Sequence, residues 1–304
     1  GYYPVGGASE MAKTIIPVIQ QGGGEVFTYA DVKEILVENG KAVGVRMADG
    51  QAIHAPAVIS NAGVFNTFGP LLPDNAPHKA FYQNKLGQVQ RSMASVCLYI
   101  GLQDTAENLA LPKTNFWIYP GADYRGQIEN FLAAPDSHDI PLTYISFPSA
   151  KDPSFAERYP GRATIEIVAP GPFEWYQDWA DKPWGKRGED YEAKKDAYAQ
   201  RLLEKLYEKM PHLRGKVDYY ELSTPLSTDY FCRYSTGEIY GLDHTPERFE
   251  QDWLKPKTRL PGLYLTGQDI MTCGVVGAMI GGLLTTVAVS GLKGLPLAKK
   301  MFVG

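Results

Sequence analysis

Residues 261–291 read PGLYLTGQDIMTCGVVGAMIGGLLTTVAVSG. Leu263–Thr266 is a short apolar run that predicts a strand. Gly267 lets the backbone turn sharply and approach a ligand closely. Asp269 follows on that turn, where a carboxylate can accept hydrogen bonds from hydroxyl groups. Gly274-Val275-Val276-Gly277-Ala278 then opens a long uncharged helix. Small residues at a helix start leave its free N–H groups accessible, and the positive end of the helix dipole favours partial negative charge there. Two other readings fit the same residues. One is an ordinary strand-to-helix crossover whose glycines serve close packing. The other is a membrane contact, since Gly274 to Leu292 carries no charge and Gly277/Gly281 forms GxxxG. Thr272, Thr285, Thr286 and Ser290 dilute that apolar run.

Working outward, residues 1–62 form one pattern. Met11, Ile15, Ile16, Val18 and Ile19 fall on one helical face, and Gly22-Gly23-Gly24 ends that helix. EVFTYA (25–30) predicts a short strand. Two further strands are joined by Asn39-Gly40, a two-residue hairpin signal that wants positive φ at both positions. A turn at Asp49-Gly50 leads to another strand, and Ala57–Ile59 is a buried-type run. The opening GYYPVGGASEMAK lacks the charged start and apolar stretch of a signal peptide. With no initiator Met and an entry into mid-loop, it reads as part of a longer protein.

Residues 63–225 are rich in proline and aromatics. Ser95–Leu102, Leu142–Phe147 and Arg162–Ala169 predict strands. The last places Ala163, Ile165, Ile167 and Ala169 on one face. A helix from about Asp190 to Met210 carries Tyr198, Leu202, Leu206 and Tyr207 on one face and stops at Pro211. The expectation is an α+β domain with a mostly antiparallel sheet. Its aromatics serve either core packing or the lining of an apolar substrate site. Residues 226–304 return to loop, strand and helix.

Composition narrows the function. The 304 residues are 44% hydrophobic and 21% charged, with a net charge of -4, and there is no basic surplus for nucleic acid. Three cysteines, Cys97, Cys232 and Cys273, form no CxxC pair, so neither a disulfide framework nor a zinc site is expected. The five histidines lack metal-ligand spacing. A reducing, cytoplasmic setting is the default reading. No spanning helix is expected. Contact with a membrane is at most peripheral, and the three lysines from Lys293 to Lys300 are too few for a polybasic anchor.

Leu265-Thr266-Gly267-Gln268-Asp269 followed by Cys273-Gly274-Val275-Val276-Gly277-Ala278 resembles the C-terminal FAD motif of the phytoene desaturase, carotenoid isomerase and retinol saturase family. The segments PLSTDYF (225–231), GEIYGLDHTPERF (237–249) and LPGLYLTGQD (260–269) are most similar to the retinol saturase branch. YYPVGGASEMAKTI (2–15), ADVKEILVENGKAVGV (30–45) and ISNA (59–62) resemble that group's middle section. The resemblance implies α/β plus α+β architecture. It divides the chain into the middle of a glutathione-reductase-like, Rossmann-type FAD domain (1–62), an antiparallel-sheet substrate domain (63–225) and the C-terminal part of the FAD domain (226–304).

It also implies roles. Asp269, with Gly267 and Gln268, would meet the ribityl or pyrophosphate part of FAD. The backbone of Val276, Gly277 and Ala278 would face the flavin ring, and Val32 would meet adenine. Gly6-Gly7 matches a double glycine near the flavin and substrate cavity; a simple helix-start loop fits it as well. The implied activity is hydride exchange between flavin and a polyene or isoprenoid, with saturation, desaturation and isomerisation all open. NAD(P)H is an allowed electron partner without a visible site. His244, oriented by Asp243, is the first candidate for proton transfer, ahead of Tyr234 and Tyr240; a structural hydrogen bond is the alternative for it. Two other classes stay open. One is a non-enzymatic isoprenoid binder similar to Rab escort and GDP-dissociation inhibitor proteins. The other is an amine oxidase, whose aromatic cage could draw on Trp175, Tyr176, Trp179 and Trp184. One feature of the family is missing. No GxGxxG occurs in the chain, so these residues alone are expected to bind FAD poorly.

Overall fold

The structure is a computed structural model that describes residues 2–294, 296 and 299. Its strands are β1 (Val32–Glu38), β2 (Lys41–Met47), β3 (Ala52–His54), β4 (Val58–Ser60), β5 (Ser95–Leu102), β6 (Phe116–Ile118), β7 (Thr143–Ser146), β8 (Ala163–Pro170), β9 (Val217–Ser223) and β10 (Leu263–Leu265). The chain divides into two compact units, residues 1–26 with 94–237 and residues 27–93 with 238–304.

In the second unit β1, β2 and β3 form an antiparallel meander. Asn39 (φ 49°) and Gly40 (φ 76°) make the β1–β2 turn with both residues left-handed, as that dipeptide demands. β4 and β10 pair in parallel, Val58 opposite Leu263 and Ser60 opposite Leu265. The core gathers Ile35, Val64, Phe68, Tyr82, Leu242, Trp253, Leu263 and Leu265. Phe68 stacks on Tyr82 at 3.7 Å, and Trp253 meets both rings edge-on at 6.0 and 6.2 Å. The helix Gly274–Ser290 lies against β10, where the Thr285 hydroxyl donates to the Leu265 carbonyl at 2.8 Å. A Cβ on Gly281 would strike the Gly267 carbonyl oxygen. The glycines at 277 and 281 are therefore packing residues, which is the crossover reading of GxxxG. Among the described residues no helix is long and apolar enough to cross a membrane.

In the first unit the sheet order is β6-β7-β8-β5-β9, antiparallel throughout. Alternation on β8 buries Ala163, Ile165, Ile167 and Ala169. The helix Glu189–Lys209 covers that face with Tyr198, Leu202, Leu203 and Leu206, and the Tyr198 hydroxyl donates to the Pro170 carbonyl at 2.7 Å.

Several expectations need correction. The units do not divide at 62/63 and 225/226. Residues 64–93 pack into the core that holds β10, whereas the helix Ser9–Gln21 groups with the five-stranded sheet. Residues 25–30 form no strand, because no neighbouring backbone offers them a ladder. The apolar face of Ser9–Gln21 contributes no buried residue, so the periodicity there predicts the helix but not a contact. β9 escapes sequence reading because Asp218 and Glu221 interrupt its apolar pattern at a sheet edge, where charge protects against unwanted pairing. Of the three lysines from Lys293 to Lys300, Lys300 lies outside the described residues.

Leu202 is fully buried under the sheet. Leu202→Ala is expected to cost about 2–5 kcal/mol, measured as a lower urea midpoint of the transition reporting on that unit. A change below about 1 kcal/mol would contradict this packing.

Candidate functional site

The segment that opened the sequence reading forms one corner of the second unit. β10 ends at Leu265, and Gly267 turns with φ 88°. A side chain at 267 would strike the Asn61 side-chain oxygen, so glycine is required by space as well as by φ. A 3₁₀ turn over Gln268–Ile270 follows.

Asp269 is 5% exposed. Its Oδ2 accepts the Val64 N–H at 2.8 Å and its Oδ1 accepts the Leu242 N–H at 3.2 Å. Burial pushes its pKa up, against the pull of those two N–H donors and of Arg248. The carboxylate that the resemblance gives to FAD thus already ties three segments of the unit together. A Cβ on Gly241 would collide with it, so Gly241 is what lets that loop come close.

Arg248, 3% exposed, is the second tie. It sits at the end of a one-turn helix, Pro246–Phe249. Its Nη1 donates to the Leu242 carbonyl at 2.8 Å. Its Nη2 donates to the carbonyls of Gln268 at 2.7 Å and Met271 at 3.2 Å. Sequence reading missed Arg248, since one arginine in a polar stretch carries no signal until the carbonyls that receive it are placed.

His244 Nε2 accepts the Cys273 N–H at 2.9 Å, at the N-cap of the helix Gly274–Ser290. Arg248 Nη1 lies 3.0 Å from Nδ1 and 3.2 Å from Nε2. Burial first, and the Arg248 charge second, pull its pKa below 6.5. The imidazole is therefore neutral, with its Nε2 lone pair committed to the helix start. Asp243 Oδ1 accepts the main-chain N–H of His244 at 2.8 Å. Among the described residues it makes no hydrogen bond to the ring.

Cys273 and Gly274 have their N–H groups met by His244 and by Gln268 Oε1 (3.4 Å). The next two, on Val275 and Val276, have no protein acceptor among the described residues. Their side chains are 55% and 70% exposed. Gly274 (φ 82°) borders open space, with nothing within 4 Å of a built Cβ. Gly277 is buried and Ala278 half-buried. The helix thus presents two unpaired donors beside open surface, which suits a carbonyl or an anionic ring edge.

The corner brings together Gly267, Gln268, Asp269, His244, Asp243 and the start of the helix that carries Val276, Gly277 and Ala278. Val32 lies on the meander, paired with Met47. In the other unit Gly6 and Gly7 have φ of 90° and 85°, and the Gly6 N–H donates to Asp152 at 3.1 Å. Burial alone would raise the Asp152 pKa; donors from Gly6, Ser154 and Arg158 hold it at about 2. Of the four aromatics considered for an amine cage, Trp175, Tyr176 and Trp179 pack in the core of that unit, and Trp184 stacks on Tyr230 at 5.0 Å. No metal-binding cluster occurs among the described residues.

Comparison with solved structures gives the class first. An oxidoreductase from Methanosarcina mazei superposes with a TM-score of 0.58 at 19% identity, over 91% of this chain and 53% of that one. The two share a fold of mixed sheets and helices. The particular relatives follow. All-trans-retinol 13,14-reductase of Macaca fascicularis is 39% identical over 298 residues, 95% of this chain and 49% of that protein. Prolycopene isomerase of Daucus carota is 29% identical over 96% of this chain and 45% of its own length. Phytoene desaturase of Rhodobacter capsulatus is 28% identical over 92% and 52%. No family model matches. The likeness read from the sequence is borne out: the chain is a homologue of the retinol reductase, carotenoid isomerase and desaturase proteins, and it spans about half the length of these relatives.

Two outcomes follow for this corner. Arg248→Met leaves the carbonyls of Leu242, Gln268, Asp269 and Met271 without this donor and should destabilise the unit by about 3 kcal/mol or more; a smaller loss in denaturant titration would contradict the tie. The depressed His244 pKa also has a sign. As pH falls below 6.5 the unfolded chain takes up the proton first, so this contribution to stability is complete above 6.5 and is lost towards the lower folded value. Amide exchange at Cys273, corrected for intrinsic rate, should quicken over that window in the native chain and show no such step in His244→Ala.

Proposed function

We propose that this chain forms the C-terminal part of an FAD-dependent oxidoreductase acting on carbon–carbon bonds of a polyene or isoprenoid. The observation that carries the reading is the helix start at Gly274. It leaves the Val275 and Val276 donors free on a chain 39% identical to a retinol reductase over 95% of its length. In this proposal the unit of 27–93 and 238–304 is part of a glutathione-reductase-like FAD domain, and the five-stranded sheet belongs to the substrate domain. Bound flavin would supply two-electron chemistry. The chain's own residues would hold the flavin ring by its N1–C2=O edge and stabilise the negative charge that gathers there on reduction. Val32 would meet adenine. His244 would act as a positioning residue, holding the helix start in place.

The pyrophosphate would need a GxGxxG unit that these residues do not contain. Support for such a unit comes from β4 and β10. A parallel ladder of two strands is marginal unless further strands and covering helices complete it. An apolar substrate also makes peripheral membrane contact part of the proposal, testable by co-sedimentation with liposomes.

The test uses a protein that includes this segment together with a GxGxxG unit. It should purify yellow, or turn yellow with FAD. Val276→Asp should lower the flavin midpoint potential by on the order of 20–40 mV, the equivalent of about 1–2 kcal/mol for two electrons. Absence of bound flavin would sink the reading. An unchanged potential would remove Val276 from the site. Anaerobic bleaching by NADH or NADPH would identify the proposed electron partner.

A further inference from the structure

A cavity of about 420 Å³ lies within the unit that holds the five-stranded sheet. Its floor is the sheet face turned away from the helix Glu189–Lys209. β5 points Val96, Leu98 and Ile100 to the covered side, so Tyr99 stands on the open one. The register sets Glu221 of β9 opposite Tyr99, with Ser223 next along the same face. All three line the cavity. One wall is the helix Pro225–Cys232, which turns Thr228, Phe231 and Cys232 to it at the i, i+3, i+4 spacing of a single helix face. Trp184 forms another, its ring stacked on Tyr230 at 5.0 Å and edge-on to Phe231 at 4.9 Å. Both walls are held from behind. The Thr224 side chain caps the helix, and its hydroxyl lies 2.7 Å from that of Tyr191. The buried Arg187 guanidinium lies over the Trp184 and Tyr191 rings and donates to the Leu226 carbonyl.

Three features of the lining decide what fits. Phe231 is 67% exposed and Trp184 38%, an apolar ring surface that a flat conjugated chain would cover. The Ser223 and Thr228 hydroxyls have no hydrogen-bond partner among the described residues and are open to a ligand. Glu221 accepts the Tyr219 hydroxyl on one carboxylate oxygen at 2.8 Å and has the other to offer. Among the described residues no lysine or arginine lines the cavity. Hydroxyl donors beside a carboxylate, without a cation, match a neutral O–H group, which both donates and accepts. They disfavour a second carboxylate by like charge. We propose that this cavity binds the hydroxyl-bearing end of a conjugated isoprenoid alcohol and rejects the corresponding acid, an assignment that rests on the isoprenoid part of the reading above. Tyr99, Trp184 and Phe231 hold the conjugated chain. Glu221 accepts the ligand O–H, and the Ser223 and Thr228 hydroxyls donate to its oxygen.

The test needs no flavin. The 304-residue chain is titrated with all-trans-retinol as the probe alcohol and with retinoic acid as the probe acid. Binding is read from tryptophan fluorescence and from the rate at which a thiol reagent such as DTNB modifies Cys232. That thiol is exposed at the cavity. Burial pushes the Cys97 thiol up to about 12, which makes it slow to react, and Cys273, in the other unit, is replaced by serine. Retinol should protect Cys232, and retinoic acid should leave its rate unchanged. Phe231→Ala should weaken retinol about tenfold, and Glu221→Gln should tighten retinoic acid about tenfold. Both side chains are exposed, so neither change opens the core. Absence of retinol binding, retinol binding that leaves Cys232 unprotected, or equal affinity for the acid overturns the assignment and leaves the flavin reading standing. Cys232 protection in the 304-residue chain, together with no bound flavin once a GxGxxG unit is joined, overturns the oxidoreductase reading and leaves this site in place.

Discussion

The buried Asp269 carboxylate is the constraint on which the candidate site depends. Two main-chain N–H groups, from Val64 and Leu242, converge on it from segments far apart in sequence. Arg248 adds the complementary charge and gathers the carbonyls of Leu242, Gln268 and Met271. A buried ion is tolerated only when its remaining hydrogen-bonding capacity is met. Here the backbone meets it, and the 3₁₀ turn between β10 and the helix Gly274–Ser290 is fixed as a result. The free donors at Val275 and Val276 follow from that fixation. They belong to a helix whose first N–H groups are held by His244 and Gln268, so the next ones present a defined direction.

This arrangement gives His244 and Asp269 roles that differ in kind from simple ligand contact. Both are polar groups whose partners lie inside the protein. Their positions beside the helix start explain why they fall within a recognisable motif. They build the surface that a flavin would use, while main-chain donors and glycine-made space provide the surface itself. In the other unit the division is similar. One sheet face is closed by the helix Glu189–Lys209, and the opposite face carries Tyr99, Trp117 and Tyr144.

Much of this was legible in the sequence. Asn39-Gly40 locates the hairpin because few other dipeptides accept positive φ twice. The alternation of β8 and the stripe of the long helix mark their buried faces, and Gly267 with Gly274 marks the turn and the helix start. What escaped reading depends on tertiary partners. Arg248 is one cation among many until its carbonyls are placed. EVFTYA has strand composition but no ladder to join. The domain limits at 62/63 and 225/226 followed changes in composition, whereas the compact units follow contacts such as Phe68–Tyr82 against Trp253. The hydrogen bond of Asp243 to its neighbour's main chain, instead of to the His244 ring, is likewise a matter of rotamer and cannot be read from adjacency.

The most direct measurement is amide hydrogen exchange, resolved to single residues, on a protein that joins this segment to a GxGxxG unit, with and without FAD. The account predicts that FAD slows exchange selectively at Val275 and Val276 and leaves Cys273, already held by His244, nearly unchanged. FAD that binds without protecting Val275 and Val276 would contradict it.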